Sequence, residues 1–193
     1  MNKTIIALLA ALACSTASAG VVTFDDVPGD PTQALDNGYA GFNWTNIGAI
    51  RGGDAPGTGF ETGVVSPMNA AYNWYGATAT IATADGQAFT FEGAAFTSAY
   101  VDQEISFEGY RNGALLLASG AYTLDTLAPQ WIGLDWSDID TLVIYNSSGT
   151  QWVMDDFTAD DVTVPEPATL ALFGGALAGL VAGRRVRRRR LSA

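Results

Sequence analysis

The sequence predicts an all-β protein, a β-sandwich of jelly-roll-like order set between two terminal segments of another kind. Three observations lead there. Between residues 20 and 164, short runs of β-forming residues recur at intervals of about ten, bounded by Gly, Asn, Asp and Pro. No stretch repeats its apolar residues at helical spacing. With no helix to cover a sheet, the stable arrangement is sheet on sheet. An immunoglobulin-like strand order fits the same pattern, and the sequence does not separate the two.

Taken in order, residues 20–27 open the body as a strand, which Pro28-Gly29-Asp30-Pro31 ends. Strands follow at 39–44 and 47–51, then a glycine-rich loop over 51–63. Residues 78–83 alternate with period two, as a half-buried strand does, and Asp85-Gly86 turns the chain. Residues 89–91 and 94–101 are the next strands. The clearest hairpin pairs 104–110 with 114–118 through Asn112-Gly113, because both turn residues tolerate positive φ. A strand over 121–125 comes next. Strands over 139–145 and 151–163 close the body, joined by Asn146-Ser147-Ser148-Gly149.

Charge narrows the function. The chain has 193 residues, net charge −11, no histidine and one cysteine. Arg51 and Arg111 are the only bases between residues 20 and 164, against nineteen acids, so that body carries −17. Such a surface repels phosphate backbones and excludes nucleic-acid binding. Without histidine there is no Ser-His-Asp triad and no histidine-ligated zinc. Without lysine the body has no Schiff-base chemistry. The chain has 21 Phe, Trp and Tyr, which argues against disorder. A glycosidase needs two carboxylates at a set separation, but among nineteen acids some pair always qualifies. The body is also small for a full cleft, so the chain is read as non-enzymatic.

The two ends read as addresses. Lys3, the apolar run 5–13 and Ala17-Ser18-Ala19 make residues 1–19 a secretory signal peptide, with the mature chain beginning at Gly20. Cys14 after Leu12-Ala13 offers a lipid-attachment alternative, but Ala11 stands where that signal takes a large aliphatic residue. Cleavage after Ala19 discards Cys14, and disulfides then play no part in stability. At the other end, Pro165, Glu166 and Pro167 precede sixteen uncharged residues, 168–183. The arginines Arg184, Arg185, Arg187, Arg188, Arg189 and Arg190 follow. As a helix the uncharged segment spans roughly 24 Å, short of a bilayer core of about 30 Å. It reads as a single, weak membrane-spanning helix, its arginines on the cytoplasmic side.

This tail, residues 165–193, resembles the PEP-CTERM sorting signal in the order and spacing of its three parts. The resemblance implies a Gram-negative bacterial protein exported through the Sec translocon. It would be held briefly in the inner membrane and processed by an exosortase, a membrane protease with a catalytic cysteine. It also implies company with exopolysaccharide and biofilm matrix, and makes Pro165, Glu166 and Pro167 the recognition motif. Prolines keep that stretch extended and unpaired, which suits a protease cleft.

Two acidic pairs bracket the body: Asp25 and Asp26 on the first strand, Asp155 and Asp156 on the last. If the chain ends meet on one sheet, these carboxylates can pool as a structural Ca2+ site, since calcium takes six to eight oxygen ligands. Ordinary strand-end acids facing water explain them equally. Phe24-Asp25-Asp26, Met154-Asp155-Asp156-Phe157 and the hairpin Gly109-Tyr110-Arg111-Asn112-Gly113 resemble the galactose-binding-like sandwiches of carbohydrate-binding modules. That resemblance implies Asp25 and Asp155 as calcium ligands. Asp135, Asp138 and Asp140 lack the glycine and distal glutamate of an EF-hand loop and read as turn and strand caps. Among the aromatics, Asn73-Trp74-Tyr75 in a polar, turn-rich stretch is the candidate sugar platform, whereas Trp44 and Trp152 should fill the core.

The expected function is that of an exported exosortase substrate. It acts as a non-catalytic surface or matrix protein that binds exopolysaccharide. The alternatives are a structural or adhesive protein working through protein contacts, and a small polysaccharide hydrolase.

Overall fold

A computed structural model describes residues 19–27 and 33–160. Residues 1–18, which hold nearly all of the expected signal peptide, residues 28–32 and residues 161–193, with the sorting tail and the expected membrane helix over 168–183, lie outside the described residues. Among the described residues no helix is long and apolar enough to cross a membrane.

Thirteen strands, one α-helical turn and three short 3-10 turns make up the described body. They are β1 (Gly20–Val22), β2 (Gln33–Ala34), β3 (Phe42–Thr45), β4 (Ile47–Arg51), α1 (Gly59–Thr62), β5 (Asn69–Asn73), β6 (Ala79–Thr83) and β7 (Phe89–Ser98). Then come β8 (Gln103–Arg111), β9 (Ala114–Ala118), β10 (Tyr122–Leu124), β11 (Gln130–Ile139), β12 (Thr141–Asn146) and β13 (Trp152–Ala159). A seven-stranded sheet runs β11-β7-β13-β5-β4-β2, with β1 also paired to β13. A six-stranded sheet runs β10-β8-β12-β6-β3, with β9 also paired to β8. Every pairing is antiparallel. The expected all-β sandwich is what the chain forms.

The two ends of the described body do meet on one sheet: Val22 lies opposite Phe157 across β1 and β13. The Asn112-Gly113 hairpin forms between β8 and β9, with both turn residues at positive φ. Inward-facing side chains of the two sheets fill one core. Phe157 sits near its centre. Its ring lies 5.2 Å from Phe91, 5.4 Å from Phe42 and 5.5 Å from Trp44, mostly edge-on. Trp44 and Trp152 are buried in that core, as expected.

A bulge resets which face of β13 is buried. Its register against β7 shifts between Asp155 and Thr158, and Asp156 takes φ +51. Trp152 and Met154 face the core before the bulge, Phe157 and Ala159 after it. One extra residue moves the apolar set by one position. The residues between, Val153 and Asp155, face the outer side.

That outer side is not bare. The segment between β4 and β5, residues 52–68, lies on it as a strap. Phe60 and Val64 of the strap join Ile50, Ala70, Tyr72, Ala99 and Val153 in a second, smaller core. The approach is close enough to require glycine at 59. A Cβ there would come within 1.7 Å of the Ser98 carbonyl oxygen.

The sequence reading gave no strand to β5 or β11. Asn69-Ala70-Ala71-Tyr72-Asn73 is poor in β-formers, yet pairing with β4 and β13 on its two sides holds it extended. In β11, Asp135 and Asp138 take φ +50 and +62 at two register shifts, which breaks the alternation a strand normally shows. Asp140 accepts from the Asn112 amide at 2.6 Å and the Thr141 hydroxyl at 2.9 Å. Arg111 lies 3.5 Å from Asp140 and 3.8 Å from Asp138.

Removing the central ring should be expensive. Phe157→Ala is expected to cost about 3–5 kcal/mol, measured as a lower denaturant midpoint with an unchanged slope. A loss below about 1 kcal/mol would show that the core is not organised around this residue.

Candidate functional site

The functional candidates gather on the outer face of the seven-stranded sheet. Two side-chain groups hold this face together, one carboxylate and one row of rings.

The carboxylate is Asp155. It projects outward from β13 and is fully buried under the strap. Its Oδ2 accepts from the amides of Val65 at 2.7 Å and Ser66 at 2.9 Å. Its Oδ1 accepts from its neighbour Asp156's amide at 2.8 Å and the Ser66 hydroxyl at 3.0 Å. Burial pushes the Asp155 carboxyl up to about 6, against the pull of these donors, which favour the ionised form. Asp156 is raised as well, by burial first and then by the nearby Asp25 charge.

The structure brings the two acidic pairs into one neighbourhood, but it gives each a donor rather than a cation. Asp25 accepts from the Asn69 amide at 3.0 Å, and Asp26 from the Tyr39 hydroxyl at 2.6 Å. That bond, with burial ahead of it, holds the Tyr39 phenol well above its ordinary value. Among the described residues no three His, Cys, Asp or Glu side chains are placed to hold a metal ion. A carboxylate already facing three amides and a hydroxyl is a poor calcium ligand. The quartet Asp25, Asp26, Asp155 and Asp156 therefore does not fit the ion that the sequence suggested. These groups tie the strap and the turn after β1 to the sheet; Asp25 and Asp26 lie in that turn and not on the first strand as expected.

The row of rings begins where β5 ends. Tyr72 stacks on Trp74 at 5.7 Å and 21°, and Trp74 meets Tyr75 edge-on at 5.8 Å. On its other side Tyr72 meets Phe60 at 5.5 Å, and Phe60 meets the exposed Tyr100 at 5.5 Å. The Tyr72 phenol is raised by burial first, then by the neighbouring Tyr75 and Tyr100 phenols. Trp74 packs over Gly48 of β4, where an added Cβ would meet its Cε3 at 2.4 Å.

Tyr75 is the most exposed large hydrophobic residue among those described, at 83 %. It also adopts φ +55, a left-handed conformation that few non-glycine residues take. Gly76 follows at φ +66 and packs against Gly149, which fixes the turn. A strained backbone that projects a ring into solvent is characteristic of functional positions.

Asn73 departs from the expectation. It is fully buried, accepting from the Trp152 amide at 2.6 Å and donating to the Ala77 carbonyl at 3.0 Å. Both ends of its amide are occupied inside the fold, so it positions Trp74 and Tyr75 and does not face a ligand. Tyr72, Tyr100 and the strap were missed because the chain brings them together only through long-range packing.

The tail candidates Pro165, Glu166, Pro167 and the arginines from 184 to 190 lie outside the described residues. Comparison with known families bears on them directly. The model described as the PEP-CTERM protein-sorting motif matches residues 163–189. No curated protein matches the chain. The chain thus carries the sorting motif that its tail resembles. The motif implies export, exosortase as the processing partner, and a place at the surface or outside the cell.

The Asp155 anchor gives stability a pH dependence of unusual sign. The folded state holds the proton to about pH 6, the unfolded chain only to the ordinary 3.8. Asp155's contribution to stability is therefore largest in acid and is lost as pH rises through that window. The fall is on the order of 2 kcal/mol. Urea unfolding between pH 4 and pH 7 measures it. Asp155→Asn should flatten that window and cost about 1–3 kcal/mol, because an amide turns one NH2 toward donors.

Proposed function

We propose that this protein is a non-catalytic component of an extracellular polysaccharide matrix, and that it holds glycan on the outer face of its seven-stranded sheet. The observation that carries the reading is Tyr75: a largely exposed ring on a left-handed, pinned turn, beside a tryptophan packed over Gly48. Sugar rings stack their apolar C–H faces on such surfaces, and phenols supply hydrogen bonds to hydroxyls. The sorting motif supports a destination where such polymers are found. The route we propose has three steps: export behind the signal peptide, brief retention in the inner membrane through residues 168–183, and processing at or near Pro165-Glu166-Pro167.

Two experiments test the two halves. Equilibrium binding of the full chain to the producing strain's own exopolysaccharide should be saturable, and Tyr75→Ala should weaken it about tenfold, or 1.4 kcal/mol. Absence of saturable binding would favour an adhesive role through protein contacts. Separately, Glu166→Ala should leave full-length protein in the membrane fraction, seen as a band that does not shorten with time.

A further inference from the structure

A second ring on the same outer face is presented in a similar way. Trp131 stands on β11, the edge strand of the seven-stranded sheet, and is 53 % exposed. Its cross-strand partner is Ala95, whose partner on β13 is Asp155. Paired residues of antiparallel strands share a face, so Trp131 lies on the side where Asp155 meets the strap. Beneath it are two glycines that pair with each other, Gly93 and Gly133. A Cβ on Gly93 would meet the Trp131 Cζ2 at 2.9 Å, and one on Gly133 would meet its Nε1 at 3.2 Å. The edge of the indole that carries Nε1 and Cζ2 thus lies over the glycines, and about half of the residue stays exposed.

Trp74 on Gly48 repeats this arrangement. In both places a large ring lies where the sheet has no side chain beneath it. Glycine in a strand interior weakens it, so cleared floors at both positions favour presentation of the rings. The strands that carry or lead to them, β11 and β5, are three places apart in the sheet order. That is about 14 Å across the strands at the usual spacing, and the register sets Tyr75 at least about 10 Å further along them, so the rings stand roughly 17 Å or more apart with the strap between, a span of several sugar units for a polymer chain crossing over the strap.

Charge selects the class of polymer. Of the body's two bases, Arg111 belongs to the other sheet and is engaged by Asp138 and Asp140. Arg51 is then the single cation of the seven-stranded sheet, in a body with nineteen acids. An anionic polymer would meet repulsion almost everywhere. An uncharged one needs only ring faces and hydroxyl partners.

We infer that Trp131 is a second stacking platform, and that Trp131 and Tyr75 together hold one chain of a neutral polysaccharide. This rests on the glycan reading above and names its ligand class and second contact. The test is binding of the full chain to soluble neutral glucans and galactomannans, with alginate and polygalacturonate as acidic comparators and the strain's own polymer alongside. Expected is saturable binding to a neutral polymer, unchanged as salt is raised. Trp131→Leu, which still covers the glycines but has no flat ring, should weaken it about tenfold, whereas Trp131→Phe retains it. Each variant's unfolding midpoint separates lost affinity from lost fold. If Tyr75→Ala weakens binding and Trp131→Leu does not, the second platform is wrong and the glycan reading stands. Binding only to acidic polymers, falling with salt, overturns the neutral class. No binding to any polymer overturns both.

Discussion

The outer face of this sandwich depends on one buried carboxylate. Asp155 sits where β13 changes which of its residues face the core, and its charge is held by amides of a segment ninety residues earlier in the chain. An ionised group removed from water is tolerated only when its lone pairs are fully occupied, and here the strap occupies them. The strap in turn brings Phe60 against Tyr72, and Tyr72 supports Trp74. The display of Tyr75 is therefore coupled, through packed rings, to a hydrogen-bond cluster on the neighbouring strand.

The two outer faces of the sandwich are unlike. On the six-stranded sheet Glu108 accepts from both Tyr110 and Tyr145, and these phenols hold its carboxyl below the ordinary range. Those rings are spent on a surface carboxylate, and the Tyr110 phenol is raised in consequence. On the seven-stranded sheet the rings pack on glycine and on one another and leave faces open. The same residue types serve solvation on one side and presentation on the other. The difference comes from what engages them: a carboxylate on one sheet, glycines and neighbouring rings on the other.

What the sequence made legible follows from how local each signal is. The Asn112-Gly113 turn, the alternation over 79–83 and the sorting motif are each written within a few adjacent residues, and each was readable. β5 was hidden because its strand character is imposed by its neighbours on both sides. β11 was hidden because two aspartates at positive φ interrupt it. Trp74 and Tyr75 could be picked out as turn aromatics, but the same argument selected Asn73, which the fold buries. Polarity marks a residue that must make hydrogen bonds; it does not say whether the partner is a ligand or a backbone amide. The acidic pairs carry the same lesson. Proximity of β1 and β13 was foreseeable, but the amides that occupy Asp155 belong to a loop whose docking no local pattern records.

Charge links the sandwich to its sorting tail. The body carries −17 with two bases, while six arginines crowd the seven residues from 184 to 190. Anionic lipid surfaces attract basic segments and repel acidic ones, and the effect fades within a Debye length. On the route proposed above, the tail's arginines supply most of the electrostatic attraction to a membrane, and the body opposes it. A body separated from that tail carries no net charge that favours the lipid. On the proposed glycan reading its retention then rests on uncharged contacts, for which the exposed Tyr75 and Trp131 are the candidates.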